Sequence, residues 1–168
     1  MSNFYKASSD EFKSSTICIN RVVKVIKGGR RFRFVALVVS GNGKGIVGFG
    51  IGKGLEVAAA VSRAELASKK NLLKFPIINS TIPHETHGYY KGSKISFFPA
   101  TKGTGIKVGG CARIVCELAG VENIMAKYYR RNSKHNSIKA ALDALSKLRD
   151  PIRIARDRGV SLEKVFNG

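Results

Sequence analysis

Apolar and polar positions alternate along the first part of the chain in a way that predicts three β-strands. The predicted strands cover residues 17–26, 32–39 and 46–51, which are rich in the β-branched and aromatic side chains that favour strands. Residues 40–43, Ser-Gly-Asn-Gly, supply the small residues that a tight hairpin turn requires. The spacing then changes to that of a helix over residues 55–73. Its predicted buried side carries Leu55, Ala59, Ser62 and Leu66, and Ala58, Val61 and Ala64 widen this stripe.

The pattern restarts after Phe75-Pro76, because the residue before a proline is disfavoured in a helix. Strand-like segments follow at 77–82, 85–90, 94–98 and 121–129, and helices at 111–119, 137–148 and 162–166. Gly120 is a suitable helix stop, and Asn136 is a suitable helix N-cap. The pattern predicts two α+β domains, at 15–75 and 76–168. Residues 1–14 are predicted to be a flexible tail with a short helix at 10–13.

Glycine occupies every second position of the third predicted strand. Gly48, Gly50, Gly52 and Gly54 alternate with Val47, Phe49 and Ile51. Because side chains alternate across a strand, one face of this strand is bare. A bare face indicates the close approach of another backbone. One candidate is the sugar-phosphate backbone of a nucleic acid, and the alternative is a bulged strand packed against its own helix.

The net charge points to a polyanionic partner. The 168 residues include 30 Lys and Arg against 11 Asp and Glu, a formal net charge of +19. Both halves share the excess, which argues against a neutral domain with a charged tail. No stretch approaches the roughly 20 apolar residues of a membrane-spanning helix, so nucleic acid is favoured over a membrane. The same charge disfavours a protein scaffold that binds no nucleic acid.

The basic and glycine residues of the first domain form the predicted RNA-binding surface. Glycines let a phosphate backbone approach, and lysine and arginine neutralise it. Phe32 and Phe34 lie beside this surface but are expected in the core. The predicted RNA-binding residues are Arg21, Lys24, Lys27, Gly28, Gly29, Arg30, Arg31, Gly48, Gly50, Gly52 and Lys53.

The cysteine and histidine spacings do not suggest a metal site. Cys18, Cys111 and Cys116 are odd in number and have no paired spacing, which favours buried thiols in a reducing compartment. His84 and His87 are three residues apart in a predicted strand and would point to opposite faces. No metal or other cofactor is expected. The start of the chain also lacks the apolar core of a signal peptide.

Three glycine-rich motifs raise the question of an enzyme. Residues 43–48 match G-x-G-x-x-G, but this fingerprint should open a helix and here opens a strand. Residues 48–54 fall one residue short of a phosphate-binding loop. Residues 101–110 look like the phosphate loop of small-molecule kinases, but no carboxylate is obviously placed to hold Mg²⁺ or act as a base. The sequence predicts no catalysis and no small-molecule substrate.

Several of these segments resemble the bacterial-type small-subunit ribosomal protein S-five. They are residues 20–32, 47–54, 99–113 and 118–121, with Asn123 and Lys127 after them. They occur in the family's order, and the resemblance covers about residues 15–168. It implies an N-terminal domain like a double-stranded-RNA-binding domain, a three-stranded sheet with a helix. It further implies a C-terminal βαβ-type sheet with helices and a left-handed crossover, and no enzymatic activity.

The resemblance also implies partners and a place in the cell. It predicts binding to small-subunit rRNA, contacts with ribosomal proteins S-four and S-eight, and a position where mRNA enters the subunit. There the protein would support decoding accuracy and mRNA unwinding, in a cytoplasmic or organellar ribosome. The residues placed at the protein interface are Lys102, Gly103, Thr104, Gly105, Lys107 and Arg113.

The chain departs from the family pattern at the turn residues Lys44 and Gly45 and in the loop 132–137. It also lacks the long first helix of a free-standing double-stranded-RNA-binding domain. Minor-groove spanning of that kind is therefore not predicted.

Overall fold

Two β-sheets and five helices make up the fold, which a computed structural model describes for residues 4–5, 11–130 and 133–167. The strands are β1 (Phe4–Tyr5), β2 (Lys13–Ile26), β3 (Gly29–Gly41), β4 (Ile46–Gly54), β5 (Leu72–Lys74), β6 (Thr86–Tyr90), β7 (Ser93–Pro99), β8 (Ile106–Lys107) and β9 (Ile124–Arg130). The helices are α1 (Val57–Lys70), α2 (Cys111–Ala119), α3 (Lys134–Ser146), α4 (Pro151–Arg158) and α5 (Leu162–Asn167).

The first sheet has the strand order β1-β5-β4-β3-β2 and is antiparallel throughout. Its three long strands are those predicted, and β1 and β5 extend the predicted three-stranded sheet to five strands. The predicted tail at 1–14 needs correction, because Phe4–Tyr5 pairs with Leu72 and Leu73 and β2 already begins at Lys13. Lys13 is therefore in a strand rather than in the predicted short helix, and Asp10 lies outside the described residues.

Helix α1 is shorter than predicted, and of the predicted stripe only Ala64 is buried. It runs over Val57–Lys70, and its buried residues are Ala60, Ala64 and Ser68. Leu66, which was expected in the core, is 63% exposed. The small residues recur every four positions, so they form one narrow stripe along the helix. That stripe lets the helix axis come closer to the sheet than a stripe of leucines would allow.

The second sheet has the strand order β6-β7-β9-β8, with β8 parallel to β9 and α2 between them in the chain. This is the predicted βαβ arrangement, and the hand of its crossover stays a prediction. Residues 77–82 form only an isolated bridge between Ile78 and Thr81. Gly120 ends α2 with a φ of 84°, as predicted.

The predicted cap of α3 is wrong by three residues. The side chain of Ser133 accepts a hydrogen bond from the backbone N–H of Asn136 at 3.4 Å, so Ser133 is the N-cap and the helix starts at Lys134. Asn132, in the same divergent loop, lies outside the described residues. Asp150 caps α4 in a similar way, by accepting from the N–H of Ile152 at 3.1 Å.

One hydrophobic core joins the two halves of the chain. Leu37, Val39 and Phe49 of the first sheet belong to the same buried cluster as Phe97 and Val115 of the second half. Helix α1 covers the opposite face of the first sheet, where Ala36 and Val38 form a smaller cluster with Ala60 and Ala64. The first sheet is therefore buried on both faces at one end only.

The turn between β3 and β4 reinforces this junction. The N–H of Gly43 donates to the carbonyl oxygen of Leu118 at 3.0 Å, and that of Gly45 donates to Ala119 at 2.9 Å. The last carbonyl groups of a helix lack hydrogen-bond donors within the helix. This turn supplies donors to the last two carbonyl groups of α2. A Cβ on Gly41 would overlap with the carbonyl of Leu118, which shows how closely the turn approaches.

Candidate nucleic-acid interface

Strands β2 and β3 extend beyond the rest of the first sheet as a two-stranded ribbon. The end of β4, Gly54, pairs with Phe34, and β3 before this point is paired with β2 alone. Residues 21–34 are called the β2–β3 ribbon here. All of them are exposed except Phe34, which is half-buried. A ribbon with so few buried contacts has little stabilisation of its own.

Six basic residues and no acidic residue occur in the ribbon. Lys24 and Arg31 are directly opposite each other in the register, and like charges at such positions are destabilising. An isolated ribbon therefore keeps an unfavourable charge arrangement that a polyanion would compensate. The six basic residues are Arg21, Lys24, Lys27, Arg30, Arg31 and Arg33.

The two faces of the ribbon differ. Lys24, Arg31 and Arg33 share one face, since residues paired across the register point to the same side. On the other face the guanidinium of Arg21 lies 3.9 Å from the ring centre of Phe32, a cation–π contact. Phe32 is 40% exposed, so the expectation that it is a core residue is wrong. Phe34 packs beside the small α1 cluster, as predicted.

The bare glycine face of β4 is occupied by α1 and not by RNA. A Cβ on Gly50 would overlap with the carbonyl oxygen of Ala64, and one on Gly52 with that of Ala60. Gly48 meets Ser68 in the same way, and all three glycines are buried. Their prediction as RNA-binding residues is therefore wrong, and the alternative of a strand packed on its own helix is correct. The glycines are needed because the helix backbone lies directly on the strand.

Lys53 joins a second basic group next to the ribbon. The guanidinium of Arg63 donates to the backbone carbonyl of Lys53 at 2.8 Å, which holds the Arg63 side chain against the end of β4. Arg33, Lys53 and Arg63 line one open cavity of about 440 Å³, together with Glu56. The predicted surface thus retains its charged members and gains Arg33 and Arg63. Arg63 is ten residues from Lys53 in sequence, and only the return of α1 across β4 brings them together.

The second glycine loop is more ordered than its sequence suggests. The backbone N–H groups of Gly103 and Gly105 both donate to Oδ1 of Asn123, at 3.0 and 3.2 Å. The side chain of Asn123 is buried, and the loop is wrapped around it. Thr104 adds an N–H bond to the carbonyl of Thr101 at 3.1 Å. Asn123 was not among the predicted site residues, although its position in the resembling segment could have indicated it.

The six predicted interface residues are spread over the loop 102–105, β8 and α2. Lys102 is exposed on the loop. Arg113 projects from α2 and bonds to Glu117 at 2.7 Å, one helical turn away. Lys107 lies in β8 opposite Met125, and its neighbour Ile106 packs into the core, so Lys107 is on the sheet face that points away from α2. Arg113 therefore has a partner in its own helix.

The described residues contain no cluster of metal ligands, and of the three cysteines Cys18 is only half-buried. Among the described residues, no three His, Cys, Asp or Glu side chains gather as metal ligands would. Cys111 and Cys116 are buried, and burial raises the pKa of the Cys116 thiol to about 12. Within the part of the chain described, no helix is long and apolar enough to cross a membrane.

Fold and charge together define a basic α+β protein with two sheets and a formal net charge of +19. Comparison with known proteins identifies the family. Residues 12–76 match the family described as "Ribosomal protein S5, N-terminal domain", and residues 88–158 match "Ribosomal protein S5, C-terminal domain". The chain belongs to the ribosomal protein S5 family, the S-five family of the sequence resemblance. This is a family of structural ribosomal proteins and not of enzymes.

Full-length relatives agree with this assignment. The chain is 46% identical over 167 residues to "Small ribosomal subunit protein uS5" of Porphyromonas gingivalis, covering 99% of this chain and 97% of the relative. It is 44% identical over 169 residues to the protein of that name from Bacteroides thetaiotaomicron, covering 100% and 98%. The protein of the same name from Wigglesworthia glossinidia brevipalpis is 43% identical, with 99% of each chain covered.

Proposed function

We propose that this protein is a structural constituent of the small ribosomal subunit that binds rRNA through the β2–β3 ribbon. The single observation that supports this most strongly is the projecting ribbon itself, which holds six basic residues, no acidic ones and an opposed pair of like charges. The adjoining group Arg33, Lys53 and Arg63 continues the positive surface onto the start of α1. Together they suit the closely spaced phosphates of paired RNA.

The ribbon proposal has a direct test with purified protein and an RNA duplex of about 16 base pairs. Roughly six phosphate contacts should give a steep salt dependence, with a slope of about −0.9 per phosphate if the value for duplex DNA applies. The double variant Arg30→Ala, Arg31→Ala should weaken binding and flatten the slope. Lys69→Ala, Lys70→Ala removes the same charge from the exposed end of α1 and is the matched control. Equal losses in the two variants would contradict a ribbon footprint.

The proposed protein neighbours are ribosomal proteins S-four and S-eight. The loop 102–105 and Arg113 are the proposed contact with S-four, and family membership supports this part. The structure contributes a physical reason, because Asn123 fixes the loop backbone and leaves Lys102 exposed. A pre-ordered loop loses less conformational entropy on binding than a mobile one.

Support of decoding accuracy and of mRNA unwinding where mRNA enters is part of the same proposal. The sequence resemblance and the exposed basic surface support this part. Cross-linking from exposed loop position 102 in intact ribosomes, with mapping of protein and RNA neighbours, tests the placement. Cross-linked products that contain neither S-four nor RNA would contradict this placement.

A further inference from the structure

The outer face of the second sheet is a second surface with RNA-binding chemistry. Gly88 of β6 lies against Ala140 and Ala144 of α3, so the helices cover the inner face. Strand alternation then places His87, Tyr89 and Lys94 on the outer face. The pairing β7–β9 adds Lys127 opposite Ser96. None of the four strands contains Asp or Glu.

Two tyrosines and a lysine form the most distinctive group on this face. The ammonium of Lys94 lies 5.3 Å from the ring centre of Tyr89 and 4.9 Å from that of Tyr129. The tyrosines are 52% and 59% exposed, although large aromatic side chains of a sheet are more usually covered. The lysine is half-buried between them, so its charge is fixed at a defined place. The arrangement provides a cation between two aromatic rings.

Further lysines continue the pattern along the sheet. Successive rows of the outer face carry Lys94, then Lys127 beside Ser96, then Lys107 beside Met125. The rows are about 7 Å apart, which is twice the rise per residue of a β-strand. This distance is comparable with the spacing of phosphates in an extended single strand of RNA. Asp143 approaches from α3 at the β6 edge, but it is held by Lys147 at 2.6 Å and by the N–H of Tyr89 at 2.9 Å. Its charge is therefore compensated within the protein.

We propose that this outer face binds an unpaired segment of the small-subunit rRNA, with bases stacked at Tyr89 and Tyr129 and phosphates at Lys94 and Lys127. Exposed sheet aromatics flanked by basic residues bind single-stranded RNA by stacking, which is tolerant of sequence. A protein partner is disfavoured, because it would have to present acidic groups to every row. A fixed rRNA segment suits stacking better than mRNA does, since a strand that must advance is hindered by stacked bases.

The proposal rests on the proposed ribosomal function, but it concerns a different surface and can fail separately. The probe is a fluorescent oligouridine of about 12 nucleotides, and the full-length protein is measured by anisotropy. Tyr129→Ala should weaken binding by about 5- to 100-fold, the range expected for loss of one stacked base. Tyr129→Phe keeps the ring and should bind like the unmodified protein. Lys127→Ala, at an exposed position, should also weaken binding, and it provides a second test should Tyr129→Ala disturb folding.

The two surfaces are distinguished by exchanging probes. Variants of the outer face should still bind the RNA duplex, whereas Arg30→Ala, Arg31→Ala should lose duplex binding and keep oligouridine binding. Unchanged oligouridine binding by both Tyr129→Ala and Lys127→Ala would overturn the proposal and leave the ribbon function intact. In assembled subunits, a photoreactive group at position 129 should cross-link to rRNA. Cross-links to mRNA alone or to a neighbouring protein alone would overturn the proposal.

Discussion

The aromatic ring of Phe49 in β4 lies 5.5 Å from the imidazole of His135 in α3, which links the first sheet to the second half of the chain. The ring of Tyr90 approaches the same imidazole edge-on at 6.2 Å. Nδ1 of His135 is buried and has no hydrogen-bond partner. Burial, followed by the nearby charges of Lys139 and Lys91, lowers the pKa of His135. The junction therefore favours the neutral imidazole.

Acid should weaken the fold through this histidine. The folded-state pKa lies below the ordinary value of about 6.5, so at lower pH the unfolded chain binds more protons than the folded one. The free energy of unfolding should therefore decline as the pH falls through about 6.5, until the folded-state pKa is passed. Replacing His135 with Phe keeps an aromatic ring and removes the titration. Urea unfolding between about pH 8 and pH 5 should show a smaller decline for His135→Phe.

The comparison at pH 8 separates titration from packing. At that pH both proteins are uncharged at position 135, so any difference there reports the fit of the ring. Parallel curves for the two proteins across the acid range would contradict the role assigned to His135.

Gly50→Val should be strongly destabilising, although valine favours strands. The first added carbon would overlap with the carbonyl oxygen of Ala64, and backbone atoms cannot rotate away. A loss of about 3 kcal/mol or more is expected, at or beyond the upper end for overpacked cores. Gly109→Ala is the control, because a Cβ there meets nothing within 4 Å. It should change stability by less than about 0.5 kcal/mol. Thermal unfolding that leaves Gly50→Val as stable as Gly109→Ala would refute the close contact.

Asn123→Ala should loosen the second glycine loop. It removes the acceptor of two backbone N–H groups, those of Gly103 and Gly105. The expected loss of stability is about 1–3 kcal/mol, with faster amide hydrogen exchange at residues 103 and 105. Thr101→Ala deletes only an exposed hydroxyl contact to Thr104 and should have little effect. Unchanged exchange in Asn123→Ala would show that the loop is held by other contacts.

Arg113→Ser should leave the fold intact and raise misreading or stop-codon readthrough in cells. The ion pair with Glu117 is exposed and worth only about 0.3–0.5 kcal/mol. Glu117→Gln breaks the same pair but keeps the arginine charge. It therefore separates the effect of losing the ion pair from the effect of losing the charge of Arg113. If the charge of Arg113 serves an interface with another protein, only Arg113→Ser should reduce accuracy. Normal accuracy in both variants would remove Arg113 from the proposed interface.

Much of the fold could be predicted from sequence periodicity. The three long strands, α2 and its stop at Gly120 follow from local patterns, because each is set by neighbouring residues. The buried side of α1 could not be predicted in this way. Leu66 is a better core residue than Ser68 by hydrophobicity, but the glycine strand opposite requires small side chains.

The candidate site shows the same division. The basic ribbon was predicted because charge and turn residues are adjacent in sequence. The glycines of β4 were assigned to RNA binding because a bare face indicates that another backbone lies close. The pattern does not indicate whether that backbone is RNA or a helix of the same chain. The contact of Arg63 with Lys53 and the role of Asn123 in the 103–105 loop could not be predicted for a related reason, since both depend on tertiary structure.

The turn of residues 41–45 that closes the end of α2 has an evolutionary consequence. The two halves match separate family descriptions, yet a swap of either half between distant relatives would make the turn contact α2, and the two sides of the shared core contact each other, with residues from different parents. Chimaeras should therefore succeed only when the turn and α2 come from the same parent. The geometry of this turn therefore predicts that recombination between the two halves is disfavoured.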